Sequence, residues 1–386
     1  MPLRRTPEIV SYMNDTAMLL QTVIEYLGRQ KGIDVRINSD RPHDIQVHDP
    51  RLYWRLLRSY SLGMGEGYME GMWSTGDLEG LLRRCLQPFA RSGNPSLAAA
   101  IQHTFLNMQT LLKSRRTVEK IYDVGEDLYE AMLDPYLQYT CGYWKDAETL
   151  EAAQLAKMDL LCRKLRLQPG FKVLDVGCGW GGLMKYMQER HGVEATGITL
   201  SREQQRFARE RFGLDSVLLC DYREIDPRYV RSFDRVVAVG VLEHVGYKNY
   251  RRFFGALRRV IKDEGIFVLQ TIGGNVSVTR PDDWVDKYIF PNGMTPSIAQ
   301  LGRAMDGLFV MEDWHNFGPS YARTLSAWHQ RSQAYFRTTD RYPPRFQRMW
   351  ELYLVGSKVA FDLRLSQLWQ LVLSPSGVPF GLSRVD

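Results

Sequence analysis

Three short constellations in this 386-residue chain have residue types and spacing that could carry chemistry. The first is Asp175-Val-Gly177-Cys178-Gly179-Trp-Gly181-Gly182, which follows an apolar, strand-like run and precedes a helix-like one. Glycines in that position allow a tight turn and close approach of a ligand to the backbone. Gly177, Gly179 and Gly182 formally satisfy the G-x-G-x-x-G dinucleotide spacing. Two details argue against a dinucleotide. An acid, Asp175, precedes the glycines, and the ribose-binding acid expected about twenty residues on is missing. The second strand instead ends Gly197-Ile-Thr199-Leu200. The second constellation is Glu243-His244 at the end of a later apolar run. Taken alone, Glu243 also reads as an acid at the start of a helix. The third is Cys141 among aromatic residues, which by itself reads as a buried small hydrophobe.

The elements around these residues follow a pattern. Apolar runs at 171–176, 193–200, 217–219, 233–239 and 265–270 read as strands, with helical stretches at 183–190 and 203–211 between them. Strands alternating with helices predict a parallel sheet covered on both faces. Later apolar runs at 309–311 and 368–373 are expected to close the sheet, antiparallel. Residues 1–110 read as a smaller, mainly helical domain, with helices at 17–27 and 53–62 and a short strand at 45–48. Its segment 63–73 carries too many glycines for a comfortable helix interior, so a turn and a tightly packed element are expected there. Residues 91–96 read as a loop. A helical stretch over 98–120, ending in the basic group Lys113–Arg116, marks the junction; residues 111–125 are the expected linker and 126–386 the second domain.

Composition sets outer limits. Lysine plus arginine number 50 against 44 aspartate plus glutamate, leaving +6. This mild excess suits an anionic partner such as a phospholipid surface or nucleic acid. The basic residues are scattered and not interleaved with aromatic ones, so nucleic acid is not expected. Five cysteines, with no C-x-x-C pair, predict neither a disulfide framework nor a metal site. The first residues lack the apolar region of a secretory signal, and no run is apolar enough to span a membrane. The expected location is cytoplasmic, with any lipid reached from the inner membrane surface.

The D-x-G-x-G loop resembles that of the S-adenosylmethionine-dependent methyltransferases. The likeness narrows with Leu133-Asp-Pro, Tyr139-Thr140-Cys141-Gly-Tyr-Trp144, Leu242-Glu243-His244-Val-Gly246, Lys287-Tyr-Ile-Phe-Pro-Asn-Gly293, Glu312-Asp-Trp-His-Asn-Phe-Gly318 and Leu62-Gly-Met-Gly-Glu-Gly-Tyr-Met69. Together these resemble the cyclopropane-fatty-acyl-phospholipid synthases. Mycolic-acid relatives share the catalytic half and lack the N-terminal domain. The resemblance implies a Rossmann-like class I methyltransferase fold, α/β, with a seven-stranded, mostly parallel sheet and a smaller helical N-terminal domain. It implies transfer of a methylene from S-adenosylmethionine to a cis double bond of a membrane phospholipid acyl chain, by a homodimer peripheral to the membrane. A related acyl-chain methyltransferase, or a non-catalytic lipid-binding protein, are the alternatives.

The resemblance also assigns residues. A bound bicarbonate, acting as base, is expected on Cys141, Glu243, Gln270, the backbone of Ile272, and Tyr321. Gln270 departs from the usual pattern, in which histidine stands there; glutamine keeps donor and acceptor atoms but never carries charge. Tyr139 and Thr140 are expected to cover the methionine end of the cofactor, with Asp175, Gly177, Cys178 and Gly179 beneath it. Thr199, Leu200 and Gln204 are expected near the ribose, and Asp221 and Tyr222 beside the adenine. Tyr122 is expected to help close the site. His315 and His329 are expected to be structural.

Overall fold

The computed structural model describes residues 7–92 and 125–386. The expected helix at 98–120, most of the linker, the basic group at 113–116 and Tyr122 lie outside them.

A seven-stranded sheet organises the larger part of the chain. Its strands are β3 (Lys172–Val176), β4 (Glu194–Thr199), β5 (Val217–Leu219), β6 (Phe233–Val239), β7 (Ile261–Gly274), β8 (Val310–Asn316) and β9 (Ser366–Ser374). The order across the sheet is β5-β4-β3-β6-β7-β9-β8. Strands β3 to β7 pair in parallel, and β9 pairs antiparallel with both β7 and β8. The order reverses beside β3, so a crevice opens at the carboxyl ends of β3 and β6. That is where the glycine loop and Glu243 fall. Buried Val, Ile, Leu and Phe on alternating strand positions form two cores, one against each face of the sheet.

The N-terminal part contains α1 (Pro7–Gln30), α2 (Arg51–Arg58), α3 (Tyr60–Met69), α4 (Leu78–Ser92) and a two-stranded pair, β1 (Gln46–Val47) with β2 (Trp73–Ser74). The expected helix at 53–62 is two helices broken at Ser59, whose backbone is extended. The expected turn within 63–73 is mostly helix. The glycines of α3 pay for their low propensity through close contact: a Cβ at Gly63 would lie 2.5 Å from the Arg55 carbonyl oxygen, at Gly65 2.2 Å from Trp284 and at Gly67 2.5 Å from Leu52. Tertiary packing overrides propensity here. Of the expected loop at 91–96, Arg91 and Ser92 are the last residues of α4, and 93–96 lie outside the described residues.

The third core joins the two parts. Tyr68, Met69 and Trp73 share it with residues of α5 (Glu126–Met132), α12 (Pro319–Phe336) and α13 (Pro344–Asp362). At its edge the Tyr68 hydroxyl donates to Glu351 at 2.7 Å, and Arg83 pairs with Asp362 at 2.7 Å.

Candidate active site

The glycine loop departs from β3 as the sequence predicts. Gly177 and Cys178 donate their N–H groups to the Ile198 carbonyl at 2.9 and 3.1 Å, which fastens the loop to β4. Gly177, Gly179 and Gly181 have φ of 74°, 55° and 87°, conformations that glycine adopts without penalty. A Cβ at Gly177 would strike Val241, and one at Gly182, the first residue of α7 (Gly182–His191), would come within 1.8 Å of the Tyr136 carbonyl oxygen. At Gly179 a Cβ would meet nothing within 4 Å. The loop therefore has a packed underside and an open side at Gly179. Cys178 turns its side chain into the core, where it lies against Gly197, so its contribution to the loop is backbone only.

The segment bearing Tyr139, Thr140 and Cys141 lies over the ends of β3 and β6. A Cβ at Gly240, just after β6, would approach Thr140 Cγ2 to 3.0 Å. Two buried polar residues of α6 (Leu150–Lys164) hold this segment. Gln154 donates to the carbonyls of Gln138 and Thr140 at 3.2 and 2.8 Å. Lys157, wholly buried, donates to Gln138 Oε1 and to Thr140 Oγ1. Burial pulls the Lys157 ammonium down to about 8, against the opposing charges of Asp134 and Asp175. Asp175 is pushed up to about 7 by burial, which Lys157 partly offsets, and its Oδ2 has no hydrogen-bond partner. Neither Gln154 nor Lys157 was singled out from sequence. Their signal was available: two long polar residues, three apart, interrupt the apolar face of α6.

Glu243 follows β6 in a short 3-10 turn, Leu242–His244. Its Oε1 accepts the Ile272 N–H at 2.6 Å, while its Oε2 is buried without a partner. Burial pushes the carboxyl up to about 7. The Ile272 N–H, expected to face an anion directly, is thus committed to Glu243, because a buried carboxylate needs a donor. Gln270 lies two residues before Ile272 on β7, 1% exposed, and its Oε1 accepts from Gln370 Nε2 at 2.9 Å. Cys141 is fully buried; its thiol is pushed up by burial, and the Thr324 hydroxyl lies 3.9 Å from its sulfur. Thr324 also accepts from Gly142 N at 3.1 Å and Trp144 Nε1 at 2.8 Å, tying the segment to α12 three residues beyond Tyr321.

Aromatic rings connect these pieces. The Tyr139 ring lies 5.0 Å from Trp328, and Trp328 lies 6.0 Å from Tyr321. The hydroxyls of Tyr139 and Tyr353 are 2.9 Å apart, and Tyr353 leads through Phe290 to His244. Burial holds His244 down to about 4, so it is neutral at ordinary pH. The walls are apolar and aromatic, and the polar atoms among them are few.

The second group of expected cofactor residues lies at the ends of β4 and β5. The Thr199 hydroxyl donates to Gln204 Oε1 at 2.7 Å, and Gln204 Nε2 is buried without a partner. Leu200 beside them is half-buried. Asp221 is held by Arg223 through both carboxylate oxygens, at 2.7 and 2.8 Å. The Tyr222 ring packs 5.1 Å from Phe253 with its hydroxyl unpartnered. The open side at Gly179 and the unpaired polar atoms of Asp175, Gln204 and Tyr222 fit a nucleoside carrying an amino acid. Among the described residues no cluster of metal-ligating side chains occurs. His315 is buried against Lys164, and His329 lies 3.7 Å from Glu351, both away from the glycine loop's contacts.

This strand order, with its two antiparallel final strands and its glycine loop at the reversal, defines a class I S-adenosylmethionine-dependent methyltransferase fold. Residues 109–371 match the family described as mycolic acid cyclopropane synthetase, and the chain belongs to that family. It is 45% identical over 356 residues to the cyclopropane-fatty-acyl-phospholipid synthase of Escherichia coli, covering 90% of this chain and 92% of that one. It is 31% identical over 380 residues to tuberculostearic acid methyltransferase UfaA1 of Mycobacterium tuberculosis, covering 88% and 85%. Among solved structures, mycolic acid cyclopropane synthase CmaA1 complexed with SAH and CTAB aligns with a TM-score of 0.61 at 29% identity, covering 67% of this chain and 98% of that one.

Proposed function

We propose that the protein is a cyclopropane-fatty-acyl-phospholipid synthase that uses bicarbonate as its base. The carrying observation is Glu243, a buried carboxyl with one oxygen anchored by the Ile272 N–H, two residues beyond Gln270 on β7, and the other unpartnered.

Tyr139, Thr140, Asp175, Gly177 and Gly179 would hold the methionine end of S-adenosylmethionine; Thr199, Gln204, Asp221 and Tyr222 would hold its nucleoside. When bound, the cofactor supplies an electrophilic methyl group on a sulfonium. The alkene of an acyl chain is a poor nucleophile, so alignment and exclusion of water carry much of the catalysis. The rings of Tyr139, Trp328, Tyr321, Tyr353 and Phe290 exclude water and offer π faces to positive charge on the acyl chain. A proton must then leave the transferred carbon. Glu243 Oε2 would accept a hydrogen bond from the O–H of a bicarbonate and orient it, while Gln270 and Tyr321 donate to its oxygens and a bicarbonate oxygen takes the proton from carbon. The Ile272 N–H contributes by fixing Glu243.

The lipid is reached from the membrane surface. No helix among the described residues is long and apolar enough to cross a membrane. Helix α1 exposes Met18, Leu19, Tyr26 and Leu27, 47–67% accessible, along one face. Such a face, with basic residues nearby at Arg29 and Lys31, suits shallow insertion among headgroups. By resemblance the protein works as a homodimer.

Incubation with labelled S-adenosylmethionine and monounsaturated phospholipid vesicles tests the reading. A mass gain of one CH₂ per acyl chain with a cyclopropane proton signal is expected. The relationship to a tuberculostearic acid methyltransferase makes a methylated chain the alternative, and an olefinic or branched-methyl product would favour it. Loss of turnover in carbonate-depleted buffer, restored by added bicarbonate, is expected for the base.

A further inference from the structure

Gln270 and Gln370 stand directly opposite each other on the antiparallel strands β7 and β9. Both are buried, at 1% and 0% exposure. Gln370 Nε2 donates to Gln270 Oε1 at 2.9 Å, and Gln370 Oε1 has no partner. A primary amide has an accepting end and a donating end. Because Gln370 occupies the accepting end of Gln270, the donating end is turned away from β9. The backbone of Gln270 is also pinned, since its carbonyl accepts from Gly240 N at 2.9 Å at the point where β6 stops.

We propose that Gln370 is a positioning residue for the reaction: it fixes the amide of Gln270 so that its Nε2 hydrogens, not its oxygen, face the anion. This rests on the bicarbonate reading given above. With the amide reversed, Gln270 would aim a carbonyl oxygen at a negatively charged ligand, and the interaction would change sign. Where the resemblance implies histidine at this position, the same partner would serve. A donor at Gln370 would bind one nitrogen of a histidine at 270 as acceptor, which forces the proton onto the other. Either side chain then presents one N–H donor to the same place.

The test combines binding with turnover in the full-length protein. Binding of ¹³C-bicarbonate to the complex with S-adenosylhomocysteine is followed by NMR titration for wild type, Q370L, Q270A and the double variant. Cyclopropane formation is measured alongside, and calorimetric titration of S-adenosylhomocysteine reports an intact fold. Q370L is expected to weaken bicarbonate binding and slow turnover about tenfold, the scale of one donor to a charged acceptor, with cofactor affinity unchanged. In the Q270A background the same change is expected to cost nothing further, because the group it positions is gone. Q370M, which is unbranched, carries the same comparison where Q370L fails to bind cofactor. Unchanged bicarbonate affinity in both Gln370 variants, or an equal loss with and without Gln270, overturns the inference. Wild-type protein that neither binds bicarbonate nor responds to its depletion overturns the base reading and this inference with it; a bicarbonate-dependent wild type with indifferent Gln370 variants overturns this inference alone.

Discussion

Glu243 accepts from Ile272 the hydrogen bond that strand β6 would have accepted had it continued. The β6–β7 pairing ends at Val239 opposite Gln270, and the next free N–H on that edge of β7 meets the Glu243 carboxylate at 2.6 Å. A strand end thus fixes a carboxyl two residues beyond the Val241 that packs on Gly177, with one oxygen satisfied and one left over.

Glu243→Gln tests the carboxyl by pH. Burial raises its pKa from 4.5 to about 7. Between those values the folded protein holds a proton that the unfolded chain has released. Its contribution to stability is therefore full below about pH 4.5 and is lost as pH rises through about 7. In Glu243→Gln this dependence disappears. Denaturant unfolding at pH 5 and pH 8 is expected to show a difference between the two pH values that is smaller in the variant by on the order of 3 kcal/mol. An identical pH dependence in both proteins would place the carboxyl in water. Cyclopropane formation is expected to fall further in this variant than in Gln270→Ala.

Lys157→Met removes the cation that holds the segment of Gln138 and Thr140. Asp134 and Asp175 lose their compensating charge, and Thr140 and Gln138 lose a donor. Breaking a buried charge cluster costs about 3–5 kcal/mol. A lower melting temperature and weaker binding of S-adenosylmethionine by calorimetry are expected together. Wild-type values for both would assign the lysine no role.

Gly179 and Gly182 should fail differently. Gly179→Val adds a branched side chain on the open side of the loop, so cofactor binding is lost while the fold survives, at a backbone cost of about 1–2 kcal/mol for the left-handed conformation. Gly182→Ala drives a methyl into the Tyr136 carbonyl oxygen and should destabilise the protein outright. Thermal melts paired with cofactor titration separate the two; equal melting temperatures would contradict the assignment of the packed and open sides.

Leu19→Glu and Leu27→Glu place charge on the exposed face of α1. Co-sedimentation with phospholipid vesicles is expected to drop in each, with activity on detergent-dispersed lipid retained. Anionic vesicles should bind wild type better than neutral ones, and high salt should narrow that gap by screening. Vesicle binding that ignores both substitutions would move the membrane contact elsewhere.

The parallel sheet, the glycine loop and Glu243 were legible because each rests on local pattern: apolar runs at strand length, glycines at a strand end, an acid just beyond another. Strands β8 and β9 were readable as apolar runs that close the sheet antiparallel, though not their order, in which β9 lies inside β8. Helix α3 was misread, since its glycines serve contacts with Arg55, Leu52 and Trp284 that only the tertiary structure supplies. Lys157 and Gln154 were passed over because a polar residue on an apolar helix face looks like an interruption until its partners are known. Gln370 sits inside an apolar strand run, about a hundred residues from the glutamine it touches, a separation across which sequence spacing carries no information.

Helix α13 carries Tyr353, whose hydroxyl meets that of Tyr139 over the cofactor loop, and Glu351, whose carboxylate takes the hydroxyl of Tyr68 from the N-terminal helices. The two residues are neighbours on one helix. A chimera built to change which lipid surface the enzyme visits, by grafting the N-terminal helices of one homologue onto the sheet of another, would cut through that helix's contacts on one side only. The graft that preserves turnover should carry α13 with its own N-terminal helices; the seam then runs along its packing on α12 and the sheet domain, where the Tyr353–Tyr139 hydroxyls, Tyr353 against Phe290, Phe361 against Tyr321 and Glu351 against His329 all have to match.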